Sequence, residues 1–203
     1  VSLSPQRVRH RQPPEQTRRQ ILAAAVEFLS EHSFRELSVD ALMARTGYSR
    51  TLFYRHFDST ASLLLALIEQ AGGELVALAE DWSHSDRVGP EITRQRLARF
   101  VRFHARNGPV ARAVAEAAHH DPAVEGAYSA LIEGFVRITT EGISTRIEAG
   151  ELPPLDAPEI ARALVRMLLG YLLDPARTLD PERTLDTVWT IWTRTLFPGE
   201  APN

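Results

Sequence analysis

The sequence contains no cysteine, and its basic residues are all Arg, without one Lys. The missing cysteine excludes disulfides, thiolate metal sites and cysteine nucleophiles, and a reducing compartment suits such a chain. Apolar runs are short, none approaching the ~20 residues of a membrane-spanning helix. The polar, Arg-rich first residues do not resemble a signal peptide, so a cytoplasmic protein is expected. Strand-like alternation is missing throughout, as is any internal repeat. Equally absent are a Ser/His/Asp order, a phosphate loop, paired carboxylates at metal spacing and an HExxH motif. His104 sits among apolar residues where a base could act, but nothing in the sequence identifies its partner. Neither an enzyme nor a cofactor is expected. What remains is an ordinary globular composition, 44% hydrophobic and 24% charged over 203 residues, enough for one large domain or two small ones.

Charge is unevenly placed. Residues 1–60 carry nine Arg against six acids, and the remainder fourteen Arg against twenty, within a net charge of −3. A positive end on an acidic body suits a polyanion bound at that end only. Residues 1–14 lack periodicity and hold three Pro, so they read as a flexible arm. Its Arg7, Arg9 and Arg11 could follow a phosphate backbone or enter a minor groove, although a solvated tail with incidental charge is the favoured reading. The Pro pair before Glu15 favours a helix start. From Glu15 to His32, Ile21, Leu22, Ala25, Phe28 and Leu29 recur at helical spacing.

The most informative stretch runs from Leu37 to Leu64. Ser38 is a good N-cap, Asp40 falls in the first turn, and Leu42 and Met43 give a short helix its buried side. Gly47 offers the left-handed geometry that ends a helix at low steric cost. Ser49 can cap a second short helix with Leu52, Phe53 and Phe57 inside. Its other side shows Arg50, Thr51, Tyr54, Arg55 and His56, all able to bond phosphates or base edges. Two helices about a glycine turn, the second rich in donors, predict a helix-turn-helix.

At G-Y-S-R-T-L-F-Y-R-H-F-D-S (Gly47 to Ser59) the chain resembles the DNA-binding motif of the TetR family of transcriptional regulators, with Tyr54 and Phe57 as that family's aromatic pair. It departs from the pattern at Met43 and Thr46, where Ala is frequent. Thr51 and Leu52 stand where Gly or Pro then Thr is usual, and Thr60 replaces a Lys. The resemblance implies an all-α, nine-helix architecture: a three-helix DNA-binding head over residues 15–58 and a six-helix ligand-binding and dimerisation body over 59–203. It places the DNA contacts at Ser38, Ser49, Arg50, Thr51, Leu52, Tyr54, Arg55, His56 and Thr60.

In the remaining chain, an apolar helix is expected from Ser59 to about Asp81, interrupted by Gly72 and Gly73. Each glycine costs about 1 kcal/mol relative to Ala, which either close packing or a soft point between head and body would explain. Residues 82–90 read as a loop and Glu91 to Asn107 as a helix. Gly108-Pro109 then reads as the start of another helix, ending near His119-His120-Asp121-Pro122. Glu116 and His120 have i,i+4 spacing, but adjacent His119 and His120 point apart and Asp-Pro makes a turn, so no metal site is expected. Further helices are expected at Ala123–Ala149, Pro158–Leu173 and Pro181–Phe197. The last two carry apolar residues over more than one face, which predicts a two-helix contact repeated by two-fold symmetry in a homodimer.

The aromatic spacing through Phe100, Tyr128 and Phe135 and the ending LDTVWTIWTRTLF are similar to the EthR-like subgroup of the family. That resemblance implies an apolar channel for a hydrophobic small-molecule effector, lined by Phe100, His104, Tyr128, Ile132, Phe135, Thr139, Val165, Leu168 and Trp192. Val165 and Leu168 stand where the subgroup presents amides, making the channel greasier. Each of these side chains is equally at home in an ordinary core. The function implied is a dimeric, ligand-responsive repressor bound to a double-stranded DNA operator. The alternatives are a small-molecule-binding protein without DNA, or a DNA-binding protein whose body serves only assembly.

Overall fold

A computed structural model describes residues 13–83, 89–174 and 180–197. Arg7, Arg9 and Arg11 of the expected arm lie outside the described residues. Among those described there are eight α-helices, one 3-10 turn and no strand, so the all-α expectation holds.

Helix α1 (Pro14–Glu31) starts with proline in its first turn and buries Ile21, Leu22, Ala25, Phe28 and Leu29. A 3-10 turn, Phe34–Glu36, follows; it is held by a capping box between Ser33 and Glu36, a Ser-x-x-Glu spacing that marks a helical start. Helix α2 (Val39–Thr46) is capped by Ser38, whose hydroxyl accepts from the Ala41 N–H at 3.2 Å. Gly47 ends it at φ 69°, a conformation that costs an L side chain about 1–2 kcal/mol. Helix α3 is short (Arg50–Phe53), and Ser49 caps it by accepting from the Leu52 N–H at 3.3 Å. Helix α4 (Thr60–Ser83) carries both Gly72 and Gly73. A Cβ added at either would meet no atom within 4 Å, so close packing does not explain them.

The helix count departs from expectation because Gly108-Pro109 does not break the chain. One helix, α5 (Pro90–Ala117), runs straight through it. Proline removes one N–H and clashes with the preceding turn. Here the preceding residue is glycine, whose missing Cβ relieves much of the crowding that pushes a pre-proline residue out of the helical region. Both halves of α5 are also anchored by packing. The carboxyl-terminal half puts Val110, Ala113, Val114 and Ala117 into a core with Ile21, Phe28, Leu42, Phe53, Leu63 and Leu67. The amino-terminal half puts Leu97 and Val101 into a second core built with the last three helices.

Those three helices share one start signal, an aspartate cap with proline in the first turn. Asp121 opens α6 (Pro122–Glu148), Asp156 opens α7 (Ala157–Leu173) and Asp180 opens α8 (Pro181–Leu196), each carboxylate accepting from backbone N–H groups. Their core gathers Ile132, Ile143, Leu164, Leu168, Val188 and Trp192. Arg162 clamps Glu133 with two bonds of 2.8 and 3.2 Å, tying α7 to α6.

Candidate nucleic-acid interface and effector cavities

The first site is built on α3 and the turn after it. Phe53 and Phe57 face inward with ring centroids 5.5 Å apart, and Arg18 of α1 lies 5.3 Å over the Phe57 ring. With those anchors fixed, helical geometry sends Arg50, Thr51, Tyr54 and Arg55 outward, and all four are exposed. Tyr54, at 48% exposure, is the most exposed large apolar side chain described; its ring meets Phe53 edge-on at 5.4 Å. Leu52, His56 and Thr60 are half-buried at the margin. Ser38 and Ser49 spend an oxygen lone pair on their caps, which leaves each O–H free to donate.

The two arginines differ. Arg50 Nη1 lies 2.9 Å from Asp40 Oδ2. A hydrogen bond with Tyr54 and the nearby Asp40 charge raise its pKa further. Arg55 forms no side-chain hydrogen bond or ion pair among the described residues, so its five donors face solvent. The sequence does not reveal the Asp40 contact, because a pair ten residues apart follows from the turn geometry and from no local pattern.

The second site is a pair of cavities. The smaller, about 40 Å³, lies between α5, α6, α7 and α8, and Phe100, Phe135, Thr139, Val165, Leu168 and Trp192 line it. Arg96, which sequence reasoning misses, also lines it and is only 6% exposed. The larger, about 140 Å³, is lined by His104, Tyr128, Ile132 and Phe135. Phe135 and Leu169 belong to both and form the wall between them. All nine residues expected to line a channel therefore line one cavity or the other. Unforeseen is where the larger cavity lies: Val26 of α1, and Leu67 and Ile68 of α4, form part of its wall. Head and body both contribute to its wall.

His104 is 5% exposed, and its Nδ1 lies 3.1 Å from the Phe100 carbonyl oxygen. Burial lowers its pKa against the opposing effect of that bond, and burial likewise raises that of Tyr128. A third, open groove of about 500 Å³ runs between the end of α1 and α5. Its acids are committed, Glu31 to Arg45 and Glu116 to Arg35. His119 Nδ1 turns to the Ala115 carbonyl at 2.8 Å, and no cluster of three metal-ligating side chains occurs among the described residues. No described helix is long and apolar enough to cross a membrane.

With this geometry in view, comparison with known proteins is specific. Residues 21–67 match the family "Bacterial regulatory proteins, tetR family", and residues 93–198 match "Transcriptional regulator EthR, C-terminal domain". The chain belongs to the TetR family of transcriptional regulators, with an amino-terminal helix-turn-helix and a carboxyl-terminal ligand-binding domain of the EthR type. It is similar to the HTH-type transcriptional regulator EthR of Mycolicibacterium smegmatis, 27% identical over 87% of this chain and 84% of the relative. It is also similar to EthR of Mycobacterium tuberculosis, 30% identical over 71% of this chain and 68% of the relative. These relatives are transcriptional regulators and not enzymes.

Among solved structures, a TetR-family regulatory protein from Rhodococcus RHA1 superposes with a TM-score of 0.75 at 20% identity, covering 89% of this chain and 97% of that one. The TetR-family regulator PfmR from Thermus thermophilus gives 0.73 at 21% identity, covering 87% and 98%. At those identities the likeness speaks to the fold alone.

Proposed function

We propose that the protein is a ligand-responsive repressor that binds a pseudo-palindromic operator as a homodimer and is released by a hydrophobic small molecule. The reading divides the chain into an Arg-rich arm over 1–14, a DNA-binding head over 15–58 and an effector and dimerisation body over 59–203. The observation that carries it is the cavity lined jointly by Val26 from the head, by Leu67 and Ile68 from the linking helix α4, and by Tyr128, Ile132 and Phe135 from the body. A molecule filling that space touches both parts at once, so its affinity depends on how the head sits. Differential affinity for two head positions is what an effector needs to shift a population.

On DNA, the dimer presents two α3 elements to successive major grooves, about 34–36 Å apart. Arg55, Thr51 and Arg50 read bases or phosphates, Arg pairing bidentately with guanine, while Tyr54 and His56 hold register on phosphate. The half-buried Trp189, Leu185, Met167 and Tyr171, with Ile191 at 40% exposure, provide an apolar strip on α7 and α8 for the two-fold contact.

Binding-site selection from random DNA tests this reading. Recovery of an inverted repeat supports it, and recovery of single half-sites by a monomeric protein sinks it. A second reading, a body that serves assembly alone, draws on the smaller cavity, whose ~40 Å³ holds little more than water. Thermal stabilisation by a panel of long-chain amphiphiles separates the two, since a true ligand raises apparent stability by mass action.

A further inference from the structure

Two side chains in the wall of the larger cavity have their donors committed in the same way. His104 Nδ1 lies 3.1 Å from the Phe100 carbonyl, and Asn107 Nδ2 donates to the Phe103 carbonyl at 3.1 Å. A carbonyl oxygen only accepts, so the imidazole proton resides on Nδ1, and the amide nitrogen of Asn107 faces its own helix. Each side chain keeps an acceptor, Nε2 of His104 and Oδ1 of Asn107. Neither atom takes part in a hydrogen bond among the described residues. His104 is 5% exposed as a residue, yet its Nε2 is not among the fully buried unpaired atoms, so it opens on the cavity, where a ligand donor can reach it.

The described lining carries no Arg, Asp or Glu, and its other polar side chains are the neutral Gln70 and Tyr128. Its apolar part includes Val110, Val114, Ile132, Phe135 and Leu169. A buried acceptor in such surroundings discriminates strongly, because a ligand without a donor leaves it unpaired. No charged side chain lines the described wall, and Arg166 reaches it only through its field at Tyr128, so an ionic ligand finds no direct partner to offset its desolvation.

We propose that this cavity selects an apolar effector carrying a neutral hydrogen-bond donor, a hydroxyl or N–H, aimed at His104 Nε2 and Asn107 Oδ1. The volume of about 140 Å³ is close to that of a cavity holding one benzene ring, roughly 150 Å³. The portion of the effector seated here is therefore a single ring or its aliphatic equivalent, with the donor on its edge. This rests on the reading that the cavity receives the effector.

Phenol and fluorobenzene, nearly equal in shape but differing in the donor, test it on the full-length protein by calorimetry and thermal shift. Phenol is expected to bind about tenfold more tightly. In His104→Leu that preference disappears or reverses, and in His104→Gln, which keeps an acceptor, part of it survives. Should the variants fail to fold, the 15N spectrum of His104 in the unaltered protein decides. It should show an Nδ1–H tautomer whose Nε2 resonance moves with phenol and not with fluorobenzene. Equal or stronger binding of fluorobenzene, or an Nε2–H tautomer, overturns the donor selectivity and leaves the effector cavity standing. If neither compound binds at millimolar concentration, while amphiphiles also leave the melting temperature unchanged, both the cavity and the selectivity fall.

Discussion

The face of α3 and the wall of the larger cavity place opposite demands on their side chains. On α3 the proposed functional groups are those excluded from the core: Phe53 and Phe57 are buried, which forces Arg50, Thr51, Tyr54 and Arg55 into solvent. In the cavity the proposed functional groups belong to the core, and Ile132 and His104 are as buried as their structural neighbours. Polar chemistry on the head is therefore separable from stability, whereas in the body the two are entangled. Helix α5 links the regions, since its two halves belong to different cores.

The largest expected effect tests that link. Phe53→Ala removes a ring with 0% exposure from the head core and should cost about 3–5 kcal/mol. Because α5 is continuous through Pro109, the melting followed by the two tryptophans of α8, in a Trp82→Phe background that silences the one in α4, should fall together with that of the head. A head that melts while the α8 fluorescence transition stays in place would show that α5 does not couple the cores. Next in size is Arg55→Ala. Loss of a bidentate contact should weaken operator binding by about 1–3 kcal/mol and relax preference at one base. Stability should stay within about 0.5 kcal/mol, as for other exposed sites. Titration at fixed salt, beside a thermal melt, checks both; unchanged discrimination removes Arg55 from the reading set.

The contrast also explains what is legible in the sequence. The head announces itself through local signals: the Ser38 and Ser49 caps, the left-handed Gly47 and the spacing of Phe53 and Phe57 all act within one or two turns. The starts of α6, α7 and α8 are legible for the same reason, each marked by an aspartate with a proline one or two residues on. The continuity of α5 is not, because Gly108-Pro109 is a breaker locally and its outcome is decided by anchoring in two distant cores. Cavity membership lies further from reach. Val26 reads as a helix-surface residue, and its place beside Leu67 and Tyr128 depends on how α1, α4 and α6 meet. Arg96 falls among charged neighbours in α5 and gives no sign of its 6% exposure.

Gly73 lies between the two regions, exposed on α4, with nothing within 4 Å of an added Cβ. Gly73→Ala should therefore stabilise the protein by about 0.5–1 kcal/mol through helix propensity and the unfolded state. If α4 serves as a soft joint, the gain comes with operator affinity preserved and a weaker ligand response. A stabilised variant with an unaltered response in a reporter assay leaves the glycine without a part in signalling.

The smallest effect separates head from body by pH. Burial holds the His104 imidazole below its ordinary value of 6.5, so the native ring stays neutral where the unfolded ring has taken a proton. In that window the unfolded state binds more protons, and stability falls as pH drops below 6.5 towards the native value. Glu31, Glu36 and Glu133 have lowered pKa values and lose their stabilising contribution only below the ordinary carboxylate value of 4.5. Between those limits the acid sensitivity contributed by His104 should vanish in His104→Phe, flattening melting temperature against pH relative to the unaltered protein. The same protonation converts Nε2 from acceptor to donor, so phenol affinity should fall towards acid while operator affinity of the unliganded protein does not follow it. Parallel pH profiles in the two proteins would mean that the native ring titrates like an exposed one, and the acceptor would then be lost already on acidification through the ordinary value of 6.5.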